Sequence, residues 1–337
     1  MRKFAKWLGY ALIALVVIVA IAVTFTIGWR PFLGPRSRSL TARKFEATPE
    51  RLARGRYLAN GVMACVHCHS EHDWKAEGGP PIEAMLGAGQ VFPESDLPGT
   101  VIAPNLTPDK ETGAGTWSDD QFARAIREGI GHDERTLFPL MPYEQFRSMS
   151  EEDLASVVVY LRSLPPVRNS LPKTEIIFPV KYLIRNAPQP LSGPVPDPDL
   201  SSQVKRGAYL ARMAGCPVCH TPQQRGQPNT SLAFAGGFTF TGPLPTVTSA
   251  NITPDPSGIP FYDENLFLQV IRTGKVGARQ LSAVMPFVAY RNMTDEDLKA
   301  IFAYIRTIPP IHHRVDNSLP PTACKICQGK HGAGDQN

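Results

Sequence analysis

The sequence predicts a mainly α chain: one transmembrane helix, then two tandem copies of a small helical domain with long loops. Three observations predict it. Residues 7–29 carry no charged side chain. The features of residues 48–172 recur in the same order over residues 200–320, and an internal repeat of this kind sets an architecture. Each copy closes on a capped segment with apolar residues at helical spacing.

The N-terminal segment comes first. About 20 apolar residues span a bilayer as a helix, and Leu12 to Val19 is unbroken in apolar character apart from the small Ala14. Arg2, Lys3 and Lys6 precede it, and Trp7, Tyr10 and Trp29 stand where interfacial aromatics belong. The positive flank stays cytoplasmic, so everything beyond residue 30 is expected outside, on an anchor in the inner membrane with its domains in the periplasm. A cleaved signal peptide is the rival reading, with Ala20-Ile21-Ala22 as its small-residue site. Val23, Phe25 and Ile27 continue the apolar run past that point and favour a retained anchor. Residues 1–30 are thus read as the anchor and 31–47 as a juxtamembrane linker.

The repeat follows. Arg54-Gly55-Arg56-Tyr57-Leu58 returns as Arg206-Gly207-Ala208-Tyr209-Leu210, Asn105-Leu106-Thr107-Pro108-Asp109 as Asn251-Ile252-Thr253-Pro254-Asp255, and Met141-Pro142-Tyr143 as Met285-Pro286-Phe287. Ser118 caps a helix with Gln121 at the reciprocal position, and Gly129 stops it. Ser150 and Thr294 cap the closing helices of the two copies, where Leu154, Val157, Val158 and Leu161 form one apolar stripe and Leu298, Ile301, Phe302 and Ile305 the other. Residues 70–116 and 221–261 read as long Gly/Pro-rich loops that need a surface to pack on. Residues 173–199, rich in proline, read as a semi-rigid linker, and residues 321–337 as a tail.

Charge narrows the function. The net charge of +5 sits in the N-terminus: without the four bases of residues 1–30, thirty-one bases face thirty acids. A nucleic-acid binder would show a clustered basic face instead. No flavin or nicotinamide fingerprint is present, and no nucleophile constellation.

All six cysteines fall in C-x-x-C pairs. Two of these, Cys65-Val66-His67-Cys68-His69 and Cys216-Pro217-Val218-Cys219-His220, carry a histidine immediately after, which is the attachment pattern of c-type haem. The spacing lets both thiols reach the vinyl groups on one porphyrin edge while the next imidazole faces the iron. Two covalently bound haem c groups are expected, with His69 and His220 as proximal ligands. For the distal ligands the choice is between Met141 and Met149, and between their repeats Met285 and Met293. Met149 and Met293 directly precede helix caps and are suited to stapling against Leu154 and Leu298. Met141 and Met285 precede prolines that hold them extended, and these two are read as the iron ligands. His67, His72, His132, His312 and His313 are not repeated between the copies. His67 is too close to its own porphyrin plane, and the other four are read as surface residues.

The third pair, Cys324-Lys325-Ile326-Cys327, is followed by Gln328. A local disulfide is the first reading, since thiols outside the cytoplasm tend to oxidise; a three-ligand metal site completed by His331 is the second. Arg54, Arg127, Arg206 and Arg272 recur and are candidates for haem propionates, with solvated surface residues as the alternative. Asn105 and Asn251 are candidates for the haem edge or for turn chemistry.

Together these features resemble the class I cytochrome c superfamily. They are most similar to membrane-anchored multihaem cytochromes such as the cytochrome c subunits of bacterial alcohol, aldehyde and gluconate dehydrogenases. The resemblance covers residues 48 to about 320. It implies two class I cytochrome c-like domains that pass electrons from a dehydrogenase or a quinol-oxidising partner toward a terminal oxidase or a soluble cytochrome c. Those subunits commonly hold three haems, whereas this chain has two attachment motifs and a Cys-Cys-Gln tail. A haem enzyme, such as a dihaem peroxidase or a thiosulfate-oxidising cytochrome, is the alternative class.

Overall fold

The computed structural model describes residues 2–92, 97–224, 226–241 and 244–337. Helix α1 (Arg2–Phe25) has no residue of its apolar window buried. It is long and apolar enough to cross a membrane, by length and composition. A short turn, α2 (Arg30–Leu33), follows.

The first copy is built from α3 (Pro49–Tyr57), α4 (Cys65–Cys68), α5 (Asp119–Glu128), α6 (Tyr143–Phe146) and α7 (Glu151–Arg162). Its Ser118 capping box is complete, and Gly129 ends α5 in the left-handed conformation at φ 73°. Helices α3 and α7 cross closely because residue 55 is glycine: a Cβ there would lie 1.9 Å from the Ser156 carbonyl oxygen. In the connecting segment, α8 (Val180–Leu183) packs on α2, with Arg185 donating to the Pro31 carbonyl at 2.9 Å and Asn186 to that of Ile27 at 3.0 Å. The exit of α1 is therefore tied to the stretch between the two copies.

The second copy repeats the plan with α9 (Gln203–Met213), α10 (Cys216–Cys219), α11 (Glu264–Thr273), α12 (Phe287–Tyr290) and α13 (Asp295–Ile305). Gly207 permits the equivalent α9–α13 crossing, where a Cβ would fall 1.8 Å from the Ala300 carbonyl oxygen. Between these helices the described residues of the long loops form only two-residue ladders and short 3-10 turns.

One apolar core runs through both copies, from Leu58, Val62 and Leu154 to Leu210, Leu298 and Ile305. The copies also exchange polar contacts in a two-fold pattern. The Tyr57 hydroxyl donates to Asp297, which Arg206 also holds at 2.5 Å. The Tyr209 hydroxyl donates to Asp153 at 2.7 Å, and Arg54 holds that carboxylate at 2.8 Å. The juxtamembrane residues are pinned as well: Arg38 pairs with the fully buried Asp120 at 2.7 Å and with Glu128 at 2.8 Å.

Candidate functional site

Each cysteine–histidine motif opens with a residue in the left-handed region, Ala64 at φ 51° and Gly215 at φ 70°. That bend starts the single turns α4 and α10. Within each turn, the histidine that follows the second cysteine hydrogen-bonds its backbone N–H to the first cysteine's carbonyl, at 2.9 Å for His69 and 3.0 Å for His220.

Both imidazoles are oriented alike. His69 Nδ1 donates to the Pro104 carbonyl and His220 Nδ1 to that of Ala250, each at 2.8 Å. A donating Nδ1 fixes the tautomer and leaves the Nε2 lone pair for a metal. Burial lowers the His69 pKa to about 4 and lowers that of His220 too, disfavouring the charged imidazolium in both. The carbonyls come from the residue just before Asn105 and the residue just before Asn251, so the two recurring asparagine loops set the rings.

The asparagines themselves perform turn chemistry. Asn105 Oδ1 accepts from the Thr107 backbone at 2.9 Å, and Asn251 Oδ1 accepts from that of Thr253 at 2.9 Å. The four recurring arginines are committed to carboxylates: Arg54 to Asp153, Arg206 to Asp297, Arg127 to Glu151 and Arg272 to Asp295. Each pairing joins a helix to the closing helix of its own copy, α7 or α13, which accounts for their recurrence.

In the first copy an apolar cleft is lined by Met63, Cys65, Cys68, His69, Leu161 and Met141. The donor set fits a haem: Cys65 and Cys68 would hold it through thioether bonds, and His69 and Met141 would offer nitrogen and sulfur to its iron. Met141 and Met285 share a backbone setting: Tyr143 N–H reaches the Met141 carbonyl at 2.8 Å and Phe287 N–H that of Met285 at 2.7 Å. Met149 and Met293 lie in the core at 0% and 2% exposure, packed in the same apolar cluster as Leu154 and Leu298.

The two motifs are close to one another. Burial pushes the Cys219 thiol up to about 12, and the Cys68 thiol of the other copy adds to that shift. Tyr290 feels Cys216, Cys219 and Cys68 together, and its hydroxyl donates to the Ala214 carbonyl.

The remaining histidines divide. His312 is exposed. His72 is half-buried against the carbonyls of His67 and Gly79, and His132 stacks on Trp117 at 4.3 Å. The surface reading fails for His313, which has no exposure at all; a fold contact from a distant loop, with no signature in the repeat, buries it. Cys324 and Cys327 are both buried. They stand with His313 and His331, the four ligand atoms lying within 4.8 Å of one another. Sequence spacing offers a signal for this grouping, since Cys-x-x-Cys and His331 lie close in the chain, but His313 joins only through the fold.

The cytochrome c family profile matches residues 52–165 and 204–309, once per copy. A nicotinate dehydrogenase subunit of Pseudomonas putida is 32% identical over 276 residues, covering 76% of this chain and 21% of that protein. The cytochrome c subunit of the quinone-dependent alcohol dehydrogenase of Komagataeibacter europaeus is 27% identical over 303 residues, 84% of this chain and 62% of that protein. A diheme cytochrome c-type protein of Cereibacter sphaeroides is 28% identical over 255 residues, covering 73% of this chain and 82% of the relative. The chain thus spans 21% and 62% of the lengths of the two dehydrogenase subunits.

Proposed function

Because the chain belongs to the cytochrome c family and carries two covalently bound haem c groups, we propose that it is a membrane-anchored electron-transfer subunit. It takes electrons from a dehydrogenase or a quinol-oxidising partner and delivers them to a terminal oxidase or soluble cytochrome c. A dehydrogenase partner is supported by the identities of the relatives, which are subunits of nicotinate and alcohol dehydrogenases. Helix α1 is read as a retained anchor in the inner membrane, with both haem domains in the periplasm. A mature N-terminus upstream of the apolar run, found by mass measurement, would support the anchor; a start near Val23 would replace it with a signal peptide.

The single observation that carries the site assignment is the cleft in which Cys65, Cys68, His69 and Met141 meet. Cys65 and Cys68 would hold the first haem, between His69 and Met141; Cys216, Cys219, His220 and Met285 would do the same for the second. When bound, each group supplies a one-electron carrier, and methionine–histidine ligation raises its reduction potential. The chain's own residues set the conditions. The Pro104 and Ala250 carbonyls orient the rings, and the apolar wall excludes water. The prolines after Met141 and Met285 keep those side chains off a helix.

Met141→Ala and Met285→Ala test this. Each is expected to lower the potential of one centre, halve the thioether-to-iron charge-transfer band of the oxidised protein, and leave the other centre unchanged. A spectrum and potentials unaltered in both variants would overturn the ligand assignment. Hydrogen peroxide turnover by the wild-type protein would argue for an enzyme instead.

A further inference from the structure

The C-terminal tail folds as a hairpin of strands Pro321–Ala323 and Lys330–Gly332, with His331 opposite Thr322. The turn of this hairpin carries Cys324 and Cys327. The backbone N–H of Cys324 donates to the Gly329 carbonyl at 2.9 Å, and Gln328 takes the left-handed conformation at φ 59°. The turn folds back so that both sulfurs point to one side, where His331 and His313 meet them. All four residues are buried, between 0% and 3% exposed.

We propose that Cys324, Cys327, His313 and His331 form a structural zinc site that fastens the tail to the second haem domain. Zinc in structural sites is tetrahedral, with Zn–S about 2.3 Å and Zn–N about 2.0–2.1 Å. Those bonds imply edges of about 3.3 Å between two nitrogens and about 3.6 Å between sulfur and nitrogen. The observed separations are 3.1 Å for His313 Nε2 to His331 Nε2, and 3.5 Å for Cys324 Sγ to His313 Nε2. The imidazole planes cross at 89°, as two ligands on separate tetrahedral directions can.

The outer partners fix the tautomers. His313 Nδ1 meets the Ala235 carbonyl at 2.8 Å, and His331 Nδ1 meets the Gly332 carbonyl at 3.0 Å. With both Nδ1 atoms donating, two Nε2 lone pairs face each other in a buried pocket. A cation between them resolves that opposition. A disulfide would consume both sulfurs and leave the opposed nitrogens unanswered, and buried polar atoms are rarely left so. A tetrahedral set of two sulfurs and two nitrogens selects zinc over the hard oxygen-seeking cations.

The site also reaches the second haem motif. Ala235, which holds His313, adjoins Gly236, whose N–H donates to the His220 carbonyl at 2.8 Å. Gly237, at φ 93°, lets this loop close on the ring: a Cβ there would sit 2.7 Å from His313 Cε1. In the first copy the corresponding Ala88 carbonyl accepts from Asn169 at 3.0 Å. The second copy has the metal-site imidazole at that place.

Elemental analysis of the purified full chain with both haems is expected to give one zinc for every two irons. The zinc-edge X-ray absorption should show two sulfur and two nitrogen neighbours, a reading independent of the haem iron. His313→Ala and Cys327→Ser should each cut zinc content sharply while iron stays at two; loss of an outer-shell partner already costs roughly 10–100-fold in metal affinity. Zinc absent from the wild-type protein would overturn the proposal, whether Cys324 and Cys327 alkylate freely or only after reduction, the latter marking a disulfide. An oxygen-rich zinc shell, or zinc that persists in both variants, would overturn it equally, because the metal would then be bound elsewhere. If a variant fails to fold, the absorption spectrum of the wild-type protein decides alone.

Discussion

At the scale of single residues, Asn105 shows how a short side chain holds a haem-domain loop. Only 2% exposed, it accepts from Thr107 through Oδ1 and donates to the Val167 carbonyl at 2.8 Å through Nδ2. It thus joins the loop that presents the Pro104 carbonyl to the segment leaving α7. Asn105→Ala strands the buried Thr107 N–H, at about 1–3 kcal/mol when unpaired, and removes one of the two donors to the Val167 carbonyl, the other being Thr107 Oγ1 at 3.3 Å. Thermal unfolding of the variant should show a loss of about 2–4 kcal/mol, and Asn251→Ala should behave alike, because Asn251 repeats the contacts with Thr253 and Ile311. A stability unchanged in both would mean that the loops are held by something else. The turn function of these asparagines was readable from the Asn-x-Thr-Pro-Asp pattern. Their long-range partners were not, because a carbonyl about sixty residues away leaves no mark on local sequence.

At the scale of elements, the two helix crossings decide whether each copy folds. Gly55 and Gly207 recur in the repeat, and each lets its helix approach the backbone of the copy's closing helix. A Cβ at either position, 1.9 Å from the Ser156 oxygen or 1.8 Å from the Ala300 oxygen, would overlap a group that cannot rotate away. Small-to-large changes in a packed core typically cost about 1–3 kcal/mol and occasionally more. Here the helices must separate, so Gly55→Ala and Gly207→Ala should reach or exceed that upper figure. Each variant is expected to lose the protease resistance of one copy while the other copy keeps its own, read from haem-stained fragments after mild proteolysis, since covalently attached haem stays with its peptide. Loss of neither would show that the crossings tolerate a methyl group. The helices were legible in the sequence, since Ser118, Ser150 and Thr294 cap the segments that the apolar spacing marks. Asp263, which caps α11 by accepting from Leu266 N–H at 2.8 Å, follows the same rule. The closeness of the crossings was not legible, because a glycine inside a helix carries no statement of what passes over it.

At the scale of the whole molecule, the two copies are joined by an exchange that only the fold reveals. Tyr57 and Asp297 are 240 positions apart, and Tyr209 and Asp153 are 56 apart; the repeat aligns Tyr57 with Tyr209 without saying that each reaches into the other copy. Both haem motifs border the shared apolar core, with Cys65 and Cys216 packed against it, and the exchange ties together the two copies that carry them. Burial, together with the hydrogen bond to Asp297, raises the Tyr57 pKa from 10.0 to about 12. A tyrosine whose pKa is higher in the folded protein stabilises the fold fully below its unfolded value and loses that contribution as pH rises through the folded value. The junction should therefore weaken between about pH 10 and about pH 12. Tyr57→Phe removes the titrating hydroxyl and should cost about 1–2 kcal/mol near neutral pH, while flattening this alkaline step. Tyr209→Phe should lower stability similarly, because its hydroxyl also accepts from Ser150 N–H at 3.3 Å. Small-angle scattering along a pH series would follow separation of the copies. Curves for wild type and Tyr57→Phe that coincide from neutrality through about pH 12 would mean that the apolar core shared by the two halves, not this hydroxyl, holds them together.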